Sequence, residues 1–240
     1  MKLSHIYEAI NELTPKKNLT AAFDADGTLW DTDVGDAFFE FECMEGYFGM
    51  GKKTIRDFYH FSKSLDDNSN LGYLWLNQIH AGLTEEEVRK AAKVFFGLQK
   101  QFPYFQEMKN LISFMQEKRV EIYIVSASIR YALEPFVNEL NIKPENLIAI
   151  ETSVENGKIT EQAVFPIPYK AGKAEAIKLK LKDQELDFAF GNTTGDLALL
   201  QSAKIPTVIS SNSEKSFSQK NSEATLAKFA QEKNWPIVIF

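Results

Sequence analysis

Apolar positions recur at two different periods along the chain, and the change of period divides it. Ile6, Ile10 and Leu13 fall at helical spacing until Pro15 and two lysines interrupt them, which predicts a short leading helix. The run from Leu19 to Phe23 is compact and largely apolar and gives way at Asp24 to a polar turn, the pattern of a buried strand. From about Asp33 to Pro103 aromatic residues crowd the chain, among them Phe38, Phe39, Phe41, Phe58, Tyr73 and Trp75, with no β-branched strand run between them. This stretch is expected to be helical. Thr84-Glu-Glu-Glu87 before Val88, Ala91, Ala92 and Phe95 reads as a capping box opening an amphipathic helix, and the polar stretch Leu65 to Asn70 as a loop.

After Pro103 strand and helix patterns take turns. A helix is expected over Met108 to Glu117, a strand over Val120 to Val125 and a helix begun by Pro135. Asn146 to Ile150 and Lys158 to Val164 flank Asn156-Gly157, a dipeptide that favours a tight hairpin turn. Then follow helix Ala171 to Lys180, strand Leu186 to Phe190, helix Asp196 to Ser202, strand Pro206 to Ser210, helix Glu223 to Gln231 and strand Ile237 to Phe240, with a polar, serine-rich loop at Ser210 to Glu223. Such alternation predicts an α/β fold, a Rossmann-like parallel sheet flanked by helices, formed by residues 1–32 and 104–240. Residues 33–103 are then an all-helical insertion after the first strand.

Composition narrows the function classes. The 27 basic and 33 acidic residues are dispersed and give a net charge of −6, so no basic stripe offers itself to nucleic acid. Cys43 is the only cysteine, which excludes an intramolecular disulfide and a cysteine-based zinc site. The first residues, MKLSHIYEAINELTPKK, carry polar side chains throughout and lack the continuous apolar stretch of a signal peptide or membrane span, so no membrane partner is expected and a cytoplasmic setting is. Oligomeric state is left open.

In open parallel sheets ligands bind at the carboxyl ends of the strands, and there four polar sets are expected to converge. They are Asp24-Ala-Asp26-Gly-Thr28 after the first strand, Ser126 with Ala127 after the second, Lys173 opening a helix, and Gly191-Asn-Thr-Thr-Gly-Asp196. Two carboxylates one residue apart in a turn can face a single ligand, one as a nucleophile and the other exchanging a proton. A divalent ion would offset their repulsion from a phosphate, and hard oxygen ligands suit Mg²⁺. Lys173 and the Ser126 hydroxyl can hold phosphoryl oxygens. By contrast, Gly46-Tyr-Phe-Gly-Met-Gly51-Lys52-Lys53 lacks the final Ser or Thr of a phosphate-binding loop and follows no strand, and His5, His60 and His80 show no metal-ligand spacing.

These four sets, in this order, resemble the motifs of the haloacid dehalogenase superfamily, and Glu155-Asn-Gly-Lys-Ile-Thr160 with Gly172-Lys173-Ala-Glu-Ala is similar to its phosphoserine phosphatase-like branch. The resemblance implies a helical cap of the C1 type over residues 33–103 and a phosphatase that acts on a small phosphate monoester. It implies that Asp24 forms an aspartyl-phosphate, that Asp26 is the acid and then the base, and that Ser126, Ala127, Thr28 and Lys173 bind the phosphoryl group. Mg²⁺ would be held by Asp24, Asp26, Asn192 and Asp196. Asp33 corresponds to a carboxylate that recognises a substrate amine, which points to an amino or quaternary ammonium alcohol phosphate, and it is equally placed to cap a helix. Trp30, Tyr73 and Trp75 are candidates for an aromatic box around such a cation, although aromatics at helical spacing are more often core. The chain departs from the pattern at Asn192, where relatives carry Asp, and weaker metal binding is expected from it. Phosphoryl transfer to a second alcohol, or ligand binding without turnover, are the alternatives.

Overall fold

In the computed structural model, which describes residues 3–15, 17–65, 69–214 and 216–240, helix α1 (Ser4–Leu13) buries Ile6 and Ile10 as their spacing predicts. Strand β1 (Thr20–Phe23) is buried at every position because a neighbour lies on either side of it and helices cover both faces. Next come α2 (Val34–Glu45), α3 (Lys52–Lys63), α4 (Leu71–Gln78) and α5 (Glu85–Leu98), with no strand between them among the described residues. Residues 66–68 of the expected loop lie outside the described residues. Thr84 caps α5 reciprocally with Glu87, as the capping box predicts. Gly46 to Lys53 is no phosphate loop: Gly46 ends α2 with a positive φ of 72° and Gly51 precedes α3.

The chain then alternates through α6 (Gln106–Glu117), β2 (Glu121–Ile129), α7 (Arg130–Glu139) and β3 (Leu147–Ile150), and after a hairpin of β4 (Thr152–Glu155) and β5 (Lys158–Ala163) through α8 (Ala171–Leu181), β6 (Leu186–Gly191), α9 (Leu197–Gln201), β7 (Ala203–Ser210), α10 (Phe217–Glu232) and β8 (Ile237–Ile239). Six strands form one parallel sheet in the order β3-β2-β1-β6-β7-β8. The order reverses between β1 and β6, and such a reversal opens a crevice at the carboxyl ends of the two strands. Phe23 and Phe190 stack there at 4.3 Å, the last apolar layer beneath that crevice.

Several expectations need correction. The first arm of the hairpin is β4, not Asn146 to Ile150; β3 forms the sheet edge instead, while Asn156 and Gly157 make the predicted turn, both at positive φ. Pro135 does not begin a helix but lies inside α7, where burial of Tyr131, Leu133 and Phe136 outweighs the hydrogen bond that proline cannot donate. β2 runs past Val125 to Ile129 through an irregular register, and α10 starts at Phe217, so half of the expected serine-rich loop is helix.

The helical stretch leaves and rejoins the sheet domain at one point. Asp31 N donates to Pro103 O at 2.9 Å, and Trp30 packs edge-on against Phe102 and Tyr104. At the opposite end of the strands Asp187, buried in β6, accepts from Thr20 N at 3.1 Å and pairs with Lys17. Asp187→Ala should therefore lower unfolding stability by about 3 kcal/mol, because it strands a buried amide and an ion-pair partner; urea denaturation would check this.

Candidate active site

The crevice is organised by one buried ammonium. Asp24 N donates to Phe190 O at 2.9 Å, continuing the β1–β6 ladder by one residue and presenting the Asp24 carboxyl at the mouth of the sheet. Lys173, near the start of α8, places Nζ 2.5 Å from Asp24 Oδ1 and 2.6 Å from Asp196 Oδ1. It gets there because Gly172 packs against Ile167: a Cβ at Gly172 would lie 1.9 Å from the Ile167 carbonyl oxygen. Asp196 spends its second oxygen on the amides of Asn192 and Thr193, both at 3.0 Å, and so shapes the loop after β6. Both its oxygens have partners, and it borders the cavity beside Lys173.

Asp26 points a different way from Asp24. Oδ1 accepts from Trp30 Nε1 and Val34 N, each at 2.8 Å, and Oδ2 from Ser128 Oγ at 2.6 Å. Ser126 Oγ in turn accepts from Ser128 N at 3.1 Å. Thr28, expected against a phosphate, is instead fully buried beneath Asp24: its hydroxyl donates to Asp24 Oδ2 at 3.1 Å and lies 3.4 Å from Asn192 Oδ1. Gly27 has a φ of +76°, and a Cβ there would meet the Asn192 amide nitrogen at 2.0 Å, so only glycine lets this turn and the β6 loop close together.

These groups line a cavity of about 350 Å³ that also takes in Ala127, Asp31, Asp33, Tyr73, Tyr169 and Glu223. Asp33 both caps α2, accepting from Asp36 N at 2.9 Å, and faces the cavity. Of the aromatic candidates only Tyr73 reaches the cavity. Trp30 is fully buried, and Trp75 packs on Phe39, Phe58 and Phe61 within the helical stretch. Tyr169, whose ring lies 5.1 Å from that of Tyr73, has no sequence motif. Ser128 carries a signal in the sequence, since alternate strand residues share a face and it follows Ser126 by two. None of the histidines lines the cavity; His80 is core, paired with buried Glu42 at 2.9 Å.

Negative charge is in excess here. Burial, then the charge of Asp196, push the Asp24 carboxyl up to about 7 against the pull of Lys173. Burial and then Asp33 push Asp26 up to about 7, opposed by its three donors, and burial with Asp36 does the same for Asp33. Burial works against the Lys173 ammonium, but Asp196 and Asp24 hold its pKa above the ordinary lysine value. Among the described residues no three His, Cys, Asp or Glu side chains form a metal cage by themselves. Asp24, Asp26 and Asp196 line the cavity together with Asn192, whose amide oxygen lies 3.4 Å from the Thr28 hydroxyl, and these oxygen donors suit a hard cation sharing its sphere with water and substrate.

The family model described as haloacid dehalogenase-like hydrolase matches residues 21–201. No curated protein sequence is similar enough to match. Among solved structures, a protein of unknown function from Bordetella pertussis Tohama I is 15% identical, with a TM-score of 0.77 over 93% of this chain and 99% of that one. A functionally unknown protein from Anaerococcus prevotii is 16% identical, with a TM-score of 0.71 over 97% and 91%. A phospho-aspartyl intermediate analogue of phosphoserine phosphatase is 17% identical, with a TM-score of 0.57 over 93% and 94%. At these identities the likeness is one of fold.

Between the ordinary carboxylate pKa and about 7, Asp26 is protonated in the folded chain and ionised in the unfolded one. Stability from this residue is thus greatest at low pH and is lost as pH rises through 7. Asp26→Asn, which keeps the shape and can donate to Ser128, should raise the melting temperature in chelator by about 5 °C at pH 8. The gain should shrink as pH falls toward 4; a gain independent of pH in thermal melts would contradict the assignment.

Proposed function

The chain belongs to the haloacid dehalogenase-like hydrolases, and on that premise we propose that it is a magnesium-dependent phosphatase in which Asp24 attacks the phosphorus of a small phosphate monoester. The observation that carries this reading is the Asp24 carboxylate, held at the strand mouth by Lys173, in one cavity with a second carboxyl whose pKa lies near neutrality. Lys173, the Ser126 hydroxyl and the Ala127 main chain hold the phosphoryl oxygens. As the bond from Asp24 oxygen to phosphorus forms and the ester bond breaks, Asp26 gives its proton to the departing alkoxide. The Asp26 carboxylate then takes a proton from water, which attacks the aspartyl-phosphate and frees inorganic phosphate. Ser128, Trp30 and Val34 hold Asp26 in place through both steps.

Mg²⁺ would be held by the Asp24 carboxylate, the Asp26 main-chain carbonyl and the Asn192 amide oxygen, and when bound it supplies the positive charge that lets an anionic phosphate approach anionic Asp24. Asp196 contributes by holding Lys173 and the loop.

The helical stretch 33–103 acts as the cap that closes the cavity and reads the leaving group, since it supplies Asp33 and Tyr73. Asp31, Asp33, Asp36 and two tyrosines give that end of the cavity a negative, aromatic character, which favours an ammonium on the leaving alcohol. Asp33 can serve both purposes, because one oxygen caps α2.

With p-nitrophenyl phosphate and Mg²⁺ the wild type should turn over and be stopped by chelator, and Asp24→Asn should lose at least about a thousandfold in kcat. Retained turnover would exclude the nucleophile. Asp33→Ala should change the ratio of rates on amino alcohol and sugar phosphates by about tenfold, as expected for a lost ammonium contact; an unchanged ratio removes the amine reading alone.

A further inference from the structure

Asn192 lies between two groups that treat its amide differently. On one side Oδ1 is 3.4 Å from the Thr28 hydroxyl that also binds Asp24; on the other Nδ2 donates to Glu223 Oε1 at 3.2 Å. Glu223 comes from α10 and belongs to none of the four motifs. Its neighbour Ser222 fastens that helix to the β6 loop, accepting from Thr194 N at 3.1 Å and lying 2.7 Å from the Thr194 hydroxyl. The Glu223 carboxylate is thereby delivered to the wall of the same cavity as Asp24.

An amide has a donor end and an acceptor end, whereas an ionised carboxylate only accepts. A carboxylate beside Asn192 therefore fixes how the amide is turned: NH₂ turns to Glu223 and the oxygen turns to the Thr28 hydroxyl that binds Asp24. We infer that Glu223 is a positioning residue for the cation site, orienting the Asn192 amide oxygen toward Asp24 and restoring from outside the coordination sphere the negative charge that an asparagine at 192 does not carry. The inference rests on the reading that Asp24 and Asn192 hold a divalent cation. It also accounts for asparagine at this position. A carboxylate at 192 would stand against Glu223 across the present 3.2 Å contact, where two ionised carboxylates repel unless they share a proton. Residues 192 and 223 thus act as a pair with one negative charge between them.

The pairing gives a test that does not depend on turnover. Mn²⁺ binding to the intact chain is followed by electron paramagnetic resonance, and Mg²⁺ by competition. Glu223→Gln should weaken Mn²⁺ binding by about tenfold, the lower range for loss of a group that supports a metal ligand. In an Asn192→Asp background the same Glu223→Gln change should tighten binding, because it removes a repulsion; the sign of its effect reverses. An effect that is absent, or has the same sign in both backgrounds, would overturn the inference while Asp24→Asn still abolished binding in an otherwise competent wild type. If the wild type itself bound no Mn²⁺, or bound it equally well with Asp24→Asn, the cation reading would fail and take this inference with it. Glu223→Gln keeps the helix and a hydrogen-bond acceptor, and unaltered melting of the double variant would separate a charge effect from misfolding.

Discussion

Three charged groups with little access to water meet at the carboxyl ends of the central strands: Lys173 between Asp24 and Asp196. Removing charges from water costs several kcal/mol per ion, and only close mutual contact offsets this, so each of the three requires the other two. That requirement ties β1, the start of α8 and the loop after β6 to one point, although they are distant in sequence. Asp196 extends the constraint by fixing the Asn192 and Thr193 amides. The parallel sheet brings these elements close, and the ion triad sets their distances.

One ammonium does not balance the carboxylates around it. Burial first, and neighbouring negative charge after it, raise the pKa values at Asp24, Asp26 and Asp33, at Asp24 against the pull of Lys173. A site in this condition favours positive charge in two places. In the proposed function the oxygen donors near Asp24 and Asn192 take a hard divalent cation, and the Asp33 and Tyr73 end takes an organic ammonium. Asp26 lies between, held by three donors yet near neutrality, the condition in which a carboxyl can give up and regain a proton at little cost.

The helical stretch is held to the sheet domain on two sides. Trp30 joins the carboxylate of Asp26 to the Phe102, Tyr104 and Phe136 cluster, so the point where the helical stretch meets the sheet and the proposed acid share a side chain. On the other side the β4–β5 hairpin bonds to the turn after α4, with Gly82 N donating to Ile159 O at 2.9 Å and Ile159 N to Leu83 O at 2.8 Å. Asn77 adds a buried bond to Thr152 at 3.0 Å. The helical stretch, which brings Tyr73 to the cavity, is therefore registered to the β4–β5 hairpin as well.

Much of this was legible along the chain because it depends on neighbours. Burial on both faces imposes a continuous apolar run on β1 and β6, amphipathic spacing marks α1, α5 and α6, and a strand end carrying Asp24 and Asp26 declares a polar site. Where local preference and packing disagreed, packing decided: Pro135 sits inside a helix because its neighbours are buried, and β3 joins the sheet edge although its sequence stands ready to pair in a hairpin. The roles of Ser128, Trp30, Tyr169 and Glu223 belong to the second kind. Each acts on a residue or wall supplied by another segment, and the distance that gives it meaning is fixed only when the sheet closes. The sequence alone determined which groups could do chemistry here; the tertiary structure decided which way Asp26 faces, that Thr28 supports Asp24 from below, and which end of Asn192 meets Thr28 and which meets Glu223, because hydrogen-bond direction is a property of contacts between segments.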